Sequence, residues 1–147
     1  IGQGALRHFL DELVVALGGE GDDLGAERGD HAGEPGEGEV LIRVAANAVC
    51  GSDHKALDRG HRFIPGHEVV GRVNAVGPEV SDWRPGDRVG TMHRDSCGRC
   101  PACLEGETSL CAGTGAVPGL LIDGGYATRM RAPQRCFFAV PEGLPAA

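Results

Sequence analysis

The sequence has few aromatic residues and little positive charge. One Trp, one Tyr and four Phe occur in 147 residues, so a core must be built mainly from Val, Leu, Ile and Ala. Acidic residues (21) outnumber basic ones (14), and the formal net charge is −7. A surface of this sign disfavours nucleic acid and anionic membranes, and we expect neither as a partner.

Long apolar runs are also missing. No stretch approaches the length of a membrane span, and the first residues lack the basic start and apolar run of a signal peptide. Three of the six cysteines fall in the run CGRCPAC, too closely spaced for unstrained disulfides among themselves. Reduced thiolates that bind a metal explain this run better, which predicts a reducing, cytoplasmic location.

The pattern of short β-branched stretches predicts a mainly β fold. The length suits one domain with a single core, and 25 Gly and 9 Pro are spread between the stretches. Helical turns are predicted at 53–57 and 102–105, and Gly71 is expected at a bulge or a close approach of two backbones. The expected architecture is a small antiparallel barrel or sandwich with long loops, whose strands lie within 39–49, 68–77, 85–92, 125–132 and 135–140.

The N-terminal part differs in character from the rest. Residues 5–17 place leucines and one phenylalanine at helical spacing. Residues 18–38 are rich in Gly, Asp and Glu, which indicates a linker or an exposed loop. We therefore expect a divergent N-terminal segment at 1–34 and a folded domain at 35–147.

A metal site is predicted where CGRCPACLEGETSLC brings together Cys97, Cys100, Cys103 and Cys111. Four thiolates complete the tetrahedral shell of a zinc ion and leave no position for substrate, so such a centre is structural. The alternatives are an iron–sulfur cluster and disulfides. The bacterial ferredoxin pattern continues with a short gap and Cys-Pro, whereas here the gap is seven residues and Ala follows, which favours zinc.

A second cluster combines Cys50 in CGSDH with His67 in GHE, each at the edge of a predicted strand. Alone, one Cys and one His are weak evidence, because buried cysteines and hydrogen-bonded core histidines are common. Ser52 and Asp53 suit an open, hydrogen-bonding site, and Asp53 is suited to accept the free ring N–H of His67. Cys136 has no such neighbours and is predicted to be a buried, small apolar side chain.

Five motifs occur in an order typical of one enzyme family: CGSD, GHEVVG, PGDRV, the four-cysteine spacing and GGYA. From about residue 35 onwards, the chain resembles the zinc-dependent medium-chain alcohol and polyol dehydrogenases. The resemblance implies a GroES-like β-barrel that carries the catalytic zinc site. It also implies a partner Rossmann domain for the nicotinamide cofactor, which is absent from this chain and is expected to begin beyond Ala147.

The resemblance assigns roles to individual residues. Cys50 and His67 are implied as ligands of a catalytic zinc, and Glu68 as a further ligand or a residue just behind the metal. Ser52 corresponds to the hydroxyl that binds the substrate alcohol and begins proton removal, and His54 competes with a neighbouring lysine as the next member of that relay. The zinc lowers the pKa of the bound alcohol while hydride leaves for NAD or NADP.

Three features depart from the family pattern. Cys50 and His67 are only 17 positions apart, so the substrate-side loop is short and the identity of the alcohol stays open. Residues 1–34 do not resemble the family's opening strands. No dinucleotide-binding turn is recognised, since the GxG at 113–115 follows the cysteine loop and not a strand, and the remaining ligand of the catalytic metal is missing.

The sequence therefore predicts the zinc-binding catalytic domain of an NAD(P)-dependent alcohol or polyol dehydrogenase, with one structural and one catalytic zinc. We expect a homo-oligomer in the full-length protein and no turnover from this chain alone. One alternative is a non-enzymatic zinc-binding module in which the four-cysteine loop is structural. The other is a zinc-free reductase of the quinone type, which is disfavoured because such relatives generally lack both clusters.

Overall fold

A computed structural model describes residues 32–58, 60, 62–113 and 115–144. The helix predicted at 5–17 and the first part of the predicted linker lie outside these residues. The described elements are strands β1 (Glu39–Ala48), β2 (Glu68–Val76), β3 (Arg88–Thr91), β4 (Arg129–Pro133) and β5 (Phe137–Ala139), helices α1 (Gly51–Asp58) and α2 (Pro101–Leu104), and 3-10 turns at Thr108–Leu110 and Gln134–Cys136. None of these helices is long and apolar enough to cross a membrane.

The five strands form one antiparallel sheet in the order β4-β1-β2-β3-β5. All five strand predictions and both helix predictions are confirmed, with shifted ends. β4 begins at Arg129, later than predicted, because the preceding Gly124–Tyr126 segment makes its backbone hydrogen bonds with residues 64–66 and not with the sheet. β5 begins after a 3-10 turn that the sequence pattern did not reveal.

The two edge strands of the sheet, β4 and β5, follow each other in the chain and are separated only by the turn Gln134–Cys136. This short connection requires the sheet to curl. The four steps from Pro133 to Phe137 span at most about 14 Å of extended chain, whereas five flat strands are about 19 Å across. The edges must therefore approach each other at this end. The predicted mainly β, barrel-like fold with long loops and short helices is confirmed.

The core lies on the inner face of this curled sheet and is built mainly from Val, Ile and Ala. Inward-facing residues recur at every second position, as in Val40 and Ile42 of β1, which are fully buried. Cys136 is also fully buried, as predicted, and burial raises the pKa of its thiol to about 12. The core cluster consists of Val40, Ile42, Val69, Val73, Val89, Met130, Ala132, Cys136 and Phe137.

Gly71 lies at a close approach of β1 and β2, and the prediction for it is confirmed. It is paired with Val44, and the register shifts between Val44 and Ala46, which is a bulge in β1. A Cβ atom at position 71 would overlap the carbonyl oxygen of Arg43 and lie 3.3 Å from the Cα of Val44. Only glycine fits between these backbones.

Substituting Gly71→Ala should therefore destabilise the sheet. We expect the free energy of unfolding to fall by about 1–3 kcal/mol, the usual cost of overpacking, as measured by urea denaturation of the zinc-loaded chain. Gly143→Ala is the matched control, because a Cβ there meets nothing within 4 Å. Equal stability of the two variants would contradict the close approach.

Candidate metal centres

Four cysteine side chains converge in the loop after β3. One Sγ atom from each lies within 4.8 Å of the others, and Cys97–Cys103 and Cys100–Cys111 are each 3.9 Å apart. Two thiolates bound tetrahedrally to zinc at about 2.3 Å are about 3.8 Å apart, whereas a disulfide requires about 2.05 Å. All four are free thiols. The donor set and its spacing fit a single tetrahedral metal ion.

The backbone of the loop is shaped to point its N–H groups at sulfur. Gly98 and Gly106 adopt positive φ angles of 68° and 85°, and α2 starts directly after Cys100 with Pro101 in its first turn. The N–H of Cys97 lies 3.3 Å from the Sγ of Cys111, and the N–H of Cys100 lies 3.3 Å from the Sγ of Cys97. These hydrogen bonds favour thiolates, the form that binds metal.

The thiols of the loop differ in pKa. Backbone N–H groups of Cys103 and Ala112 lower the pKa of Cys100 to about 6, and those of Arg99 and Cys100 lower the pKa of Cys97. Desolvation and the neighbouring Cys100 raise the pKa of Cys103 to about 11. Four adjacent thiolates repel one another, so full ionisation of this set requires a cation among them.

Two residues without a sequence signal hold this loop in place: Arg94 joins its start to its end, and Asp95 joins it to the turn between β4 and β5. The Nη2 atom of Arg94 donates to the carbonyl oxygens of Cys111 and Gly113, both at 3.3 Å. Asp95, which is 4% exposed, accepts two hydrogen bonds from Arg135, at 2.9 and 3.1 Å. The loop is therefore held at its start, and both contacts join residues far apart in sequence.

The second cluster forms where β1 ends and β2 begins. Ala48, the last residue of β1, is paired with Glu68, the first residue of β2. Cys50, just after β1, and His67, just before β2, therefore lie side by side. Cys50, His67 and Glu68 each offer one ligand atom within 4.8 Å of the others. Alternation of side chains along a strand would separate His67 from Glu68, but His67 precedes the first strand residue and follows Gly66, whose φ is +95°.

Ser52 lies between the two proposed metal ligands. Its Oγ donates to the Sγ of Cys50 at 3.3 Å and lies 3.4 Å from the Nε2 of His67. His54 lies two residues further along α1, and its side chain is outside the described part of the structure. The structure therefore brings Ser52 to the cluster, and the role of His54 stays a prediction.

Asp53 contacts both proposed ligands from behind. It is 2% exposed, and its Oδ2 accepts the backbone N–H of Cys50 at 2.8 Å, the half of a capping box that the third helical residue supplies. Its Oδ1 lies 3.5 Å from the Nδ1 of His67, and neither of these two buried atoms has a hydrogen-bond partner among the described residues.

Tyr126 also contacts Asp53, although the sequence marked this tyrosine only as part of the GGYA motif. It donates its hydroxyl to the Oδ2 of Asp53 at 2.8 Å. Burial and the Asp53 carboxylate raise the pKa of Tyr126 well above its usual value.

The second cluster faces an open cleft. His93, which no sequence pattern marked, lies on the cleft wall with its ring 5.4 Å from that of His67 in an edge-on arrangement. Thr91 Oγ1 donates to the carbonyl oxygen of His67 at 2.7 Å and fixes the backbone there. The cleft combines polar and apolar walls, and is lined by Cys50, Ser52, His67, Glu68, Val69, Val70, Thr91, His93 and Phe138.

Replacing Cys103 by Ser should remove the metal from the four-cysteine loop. A structural metal supplies the free energy that orders its loop, so the variant should lose one zinc per chain and become sensitive to protease at 95–112. Cys136→Ala is the matched control, because it removes a buried thiol outside both clusters and should keep its zinc. Unchanged proteolysis of the Cys103→Ser loop would contradict the structural role.

Comparison with known proteins agrees with the fold and the motifs. The model of the alcohol dehydrogenase GroES-like domain matches residues 36–142. Alcohol dehydrogenase patD of Aspergillus clavatus is 40% identical over 119 residues, which make up 78% of this chain and 30% of that protein. The crystal structure of galactitol-1-phosphate dehydrogenase from Escherichia coli has a TM-score of 0.67 and 34% identity, over 75% of this chain and 33% of that one.

A third relative contains metal. The cobalt- and zinc-bound thermostable alcohol dehydrogenase from Pyrobaculum aerophilum has a TM-score of 0.66 and 37% identity, over 71% of this chain and 33% of that one. The chain thus spans about a third of the length of these relatives. On the family match, the shared fold and the ordered motifs, it belongs to the alcohol dehydrogenase GroES-like domain family, whose members here are zinc-type alcohol and polyol dehydrogenases.

Proposed function

We propose that this chain is the zinc-binding catalytic domain of an enzyme that oxidises a small alcohol or polyol by hydride transfer to NAD or NADP. The observation that carries the proposal is the convergence of Cys50, His67 and Glu68 at the edge of an open cleft, behind which lies a buried carboxylate. The relatives that match this chain are alcohol and polyol dehydrogenases, which supports the same reaction class here.

The two clusters differ in the way that structural and catalytic zinc sites differ. Four sulfurs at 97–111 complete a tetrahedral shell, so a metal there holds the loop and meets no substrate. Cys50, His67 and Glu68 offer at most three ligands and leave a position open towards the cleft. Zinc held by this second set supplies a Lewis acid that makes a substrate hydroxyl more acidic.

Ser52 is the residue that we propose to receive the proton of the substrate hydroxyl. Its Oγ is within 3.4 Å of Cys50 Sγ and of His67 Nε2, so a substrate hydroxyl that approaches these two atoms also reaches Ser52. His54, two residues along α1, is proposed to pass this proton towards solvent. Val70 and Phe138 supply an apolar wall for the carbon skeleton of the alcohol.

Location and assembly are part of the same proposal. All six cysteines are free thiols, which suits a reducing compartment such as the cytoplasm. We propose a homo-oligomer for the full-length protein, as the family resemblance implies.

Metal analysis tests the two-site proposal and separates it from a non-enzymatic zinc module. The reduced, purified chain should contain two zinc ions by atomic emission, and His67→Ala should contain one. His93→Ala is the matched control, because this histidine shares the cleft wall but not the cluster, and it should keep both ions. A wild-type chain with one zinc, or a His67→Ala variant with two, would favour the module.

Activity of an extended chain tests the role of Ser52. Joined to the nucleotide-binding part of galactitol-1-phosphate dehydrogenase, the domain should oxidise alcohols. Ser52→Ala should then lower kcat by about 10²–10⁴-fold, the usual contribution of a positioned proton acceptor. Ser81→Ala removes an exposed hydroxyl whose hydrogen-bond partner among the described residues is Asp82, and this variant should change nothing. Equal kcat values for the two variants would remove Ser52 from the proton path.

A further inference from the structure

The GGYA segment is bound to the residues that immediately precede His67. Gly124 N–H donates to Ile64 O at 2.7 Å, Gly125 N–H to Gly66 O at 2.9 Å, and Tyr126 N–H to Pro65 O at 3.0 Å. A Cβ atom at Gly124 would overlap Gly66 O, so the two backbones are in direct contact. The motif therefore places Tyr126 at a fixed distance from the second cluster.

The hydroxyl group of Tyr126 fixes the carboxylate of Asp53. It donates to Oδ2 at 2.8 Å and lies at the longer distance of 3.3 Å from the carbonyl oxygen of Ala48. The same Oδ2 accepts the backbone N–H of Cys50 at 2.8 Å. With two donors on one oxygen, the carboxylate cannot rotate freely, and its other oxygen stays close to His67 Nδ1, 3.5 Å away.

We propose that Tyr126, acting through Asp53, is a positioning residue for the second metal centre. A fixed Oδ1 beside Nδ1 favours the tautomer of His67 that carries its proton on Nδ1. Nε2, which faces Ser52 Oγ at 3.4 Å, then keeps a free lone pair for a metal. This inference rests on the proposed function, since it concerns the same proposed metal ligands, Cys50 and His67.

The hydrogen bond from Tyr126 to Asp53 links the proposed ligands Cys50 and His67 to a distant segment of the chain. Tyr126 and Asp53 are 73 positions apart, and Asp53 also holds the backbone of Cys50. One buried carboxylate thereby aligns both proposed ligands, and the tyrosine supplies the second donor that keeps it in place. Losing this donor should affect the metal centre before it affects the fold, because the ring of the tyrosine can stay packed.

Cobalt titration of the Tyr126→Phe variant tests this role. The variant keeps the ring and loses only the hydroxyl. With zinc in the four-cysteine loop, cobalt added to the second site is followed by its thiolate-to-metal absorption. We expect affinity about 10–100-fold below wild type, the usual effect of losing a partner behind a metal ligand, and unchanged zinc in the loop. A change of less than about twofold would overturn the proposal.

A control variant separates positioning from a general loss of stability. Trp83→Phe removes another aromatic donor, the indole N–H that bonds Gln134 O at 3.0 Å. It should lower the thermal midpoint without changing cobalt affinity. If Trp83→Phe weakens cobalt binding as much as Tyr126→Phe does, the effect is one of stability and the proposal fails.

A measurement on the unmodified protein covers the case in which Tyr126→Phe does not fold. In the zinc-loaded chain labelled with ¹⁵N-histidine, NMR should show a protonated Nδ1 on His67. An unprotonated Nδ1 would overturn the proposal. A wild-type chain that binds one metal ion would contradict the proposed function and this inference together, whereas two ions with an unaffected Tyr126→Phe variant would contradict this inference alone.

Discussion

The pairing of β1 with β2 is the constraint on which the rest of the molecule depends. It sets Ala48 opposite Glu68, and so brings Cys50 and His67 together although they belong to different strand ends. A register slip of one residue would send each β2 side chain to the opposite face and separate the two. The bulge at Val44–Ala46, fitted against Gly71, fixes this register, because Gly71 is the one residue of β2 that has no Cβ atom.

The two clusters depend on this sheet in different ways. The four-cysteine loop follows β3, is closed on itself by Arg94 and is joined by the Asp95–Arg135 pair to the turn between β4 and β5, so it needs the metal mainly for its own order. The second cluster is built into the strand ends themselves, with a buried carboxylate and a tyrosine behind it. The first site is closed by its fourth sulfur, while the second opens on a cleft. This difference in geometry underlies the proposed division between a structural and a catalytic ion.

Local pattern was enough to predict most elements and the four-cysteine cluster from the sequence. Alternating β-branched residues marked the strands, and the cysteine spacing marked the loop, because in each case the signal lies within a few residues. The family motifs, and not the spacing of Cys50 and His67, made the second cluster recognisable. Long-range contacts could not be predicted: Tyr126 lies 73 positions from Asp53, and His93 reaches the cleft through the pairing of β3 with β2. The late start of β4 could not be predicted for the same reason, since residues 124–126 are hydrogen-bonded to a distant segment of the chain.

The location of the metal ions tests the central claim most directly. Crystals of the reduced chain, measured at the zinc absorption edge, should give two anomalous peaks per chain. One should lie among the sulfurs of Cys97, Cys100, Cys103 and Cys111, and the other between Cys50 Sγ and His67 Nε2. A map with a peak in the four-cysteine loop and none between Cys50 and His67 would leave a zinc-binding domain without a catalytic centre and would contradict the account.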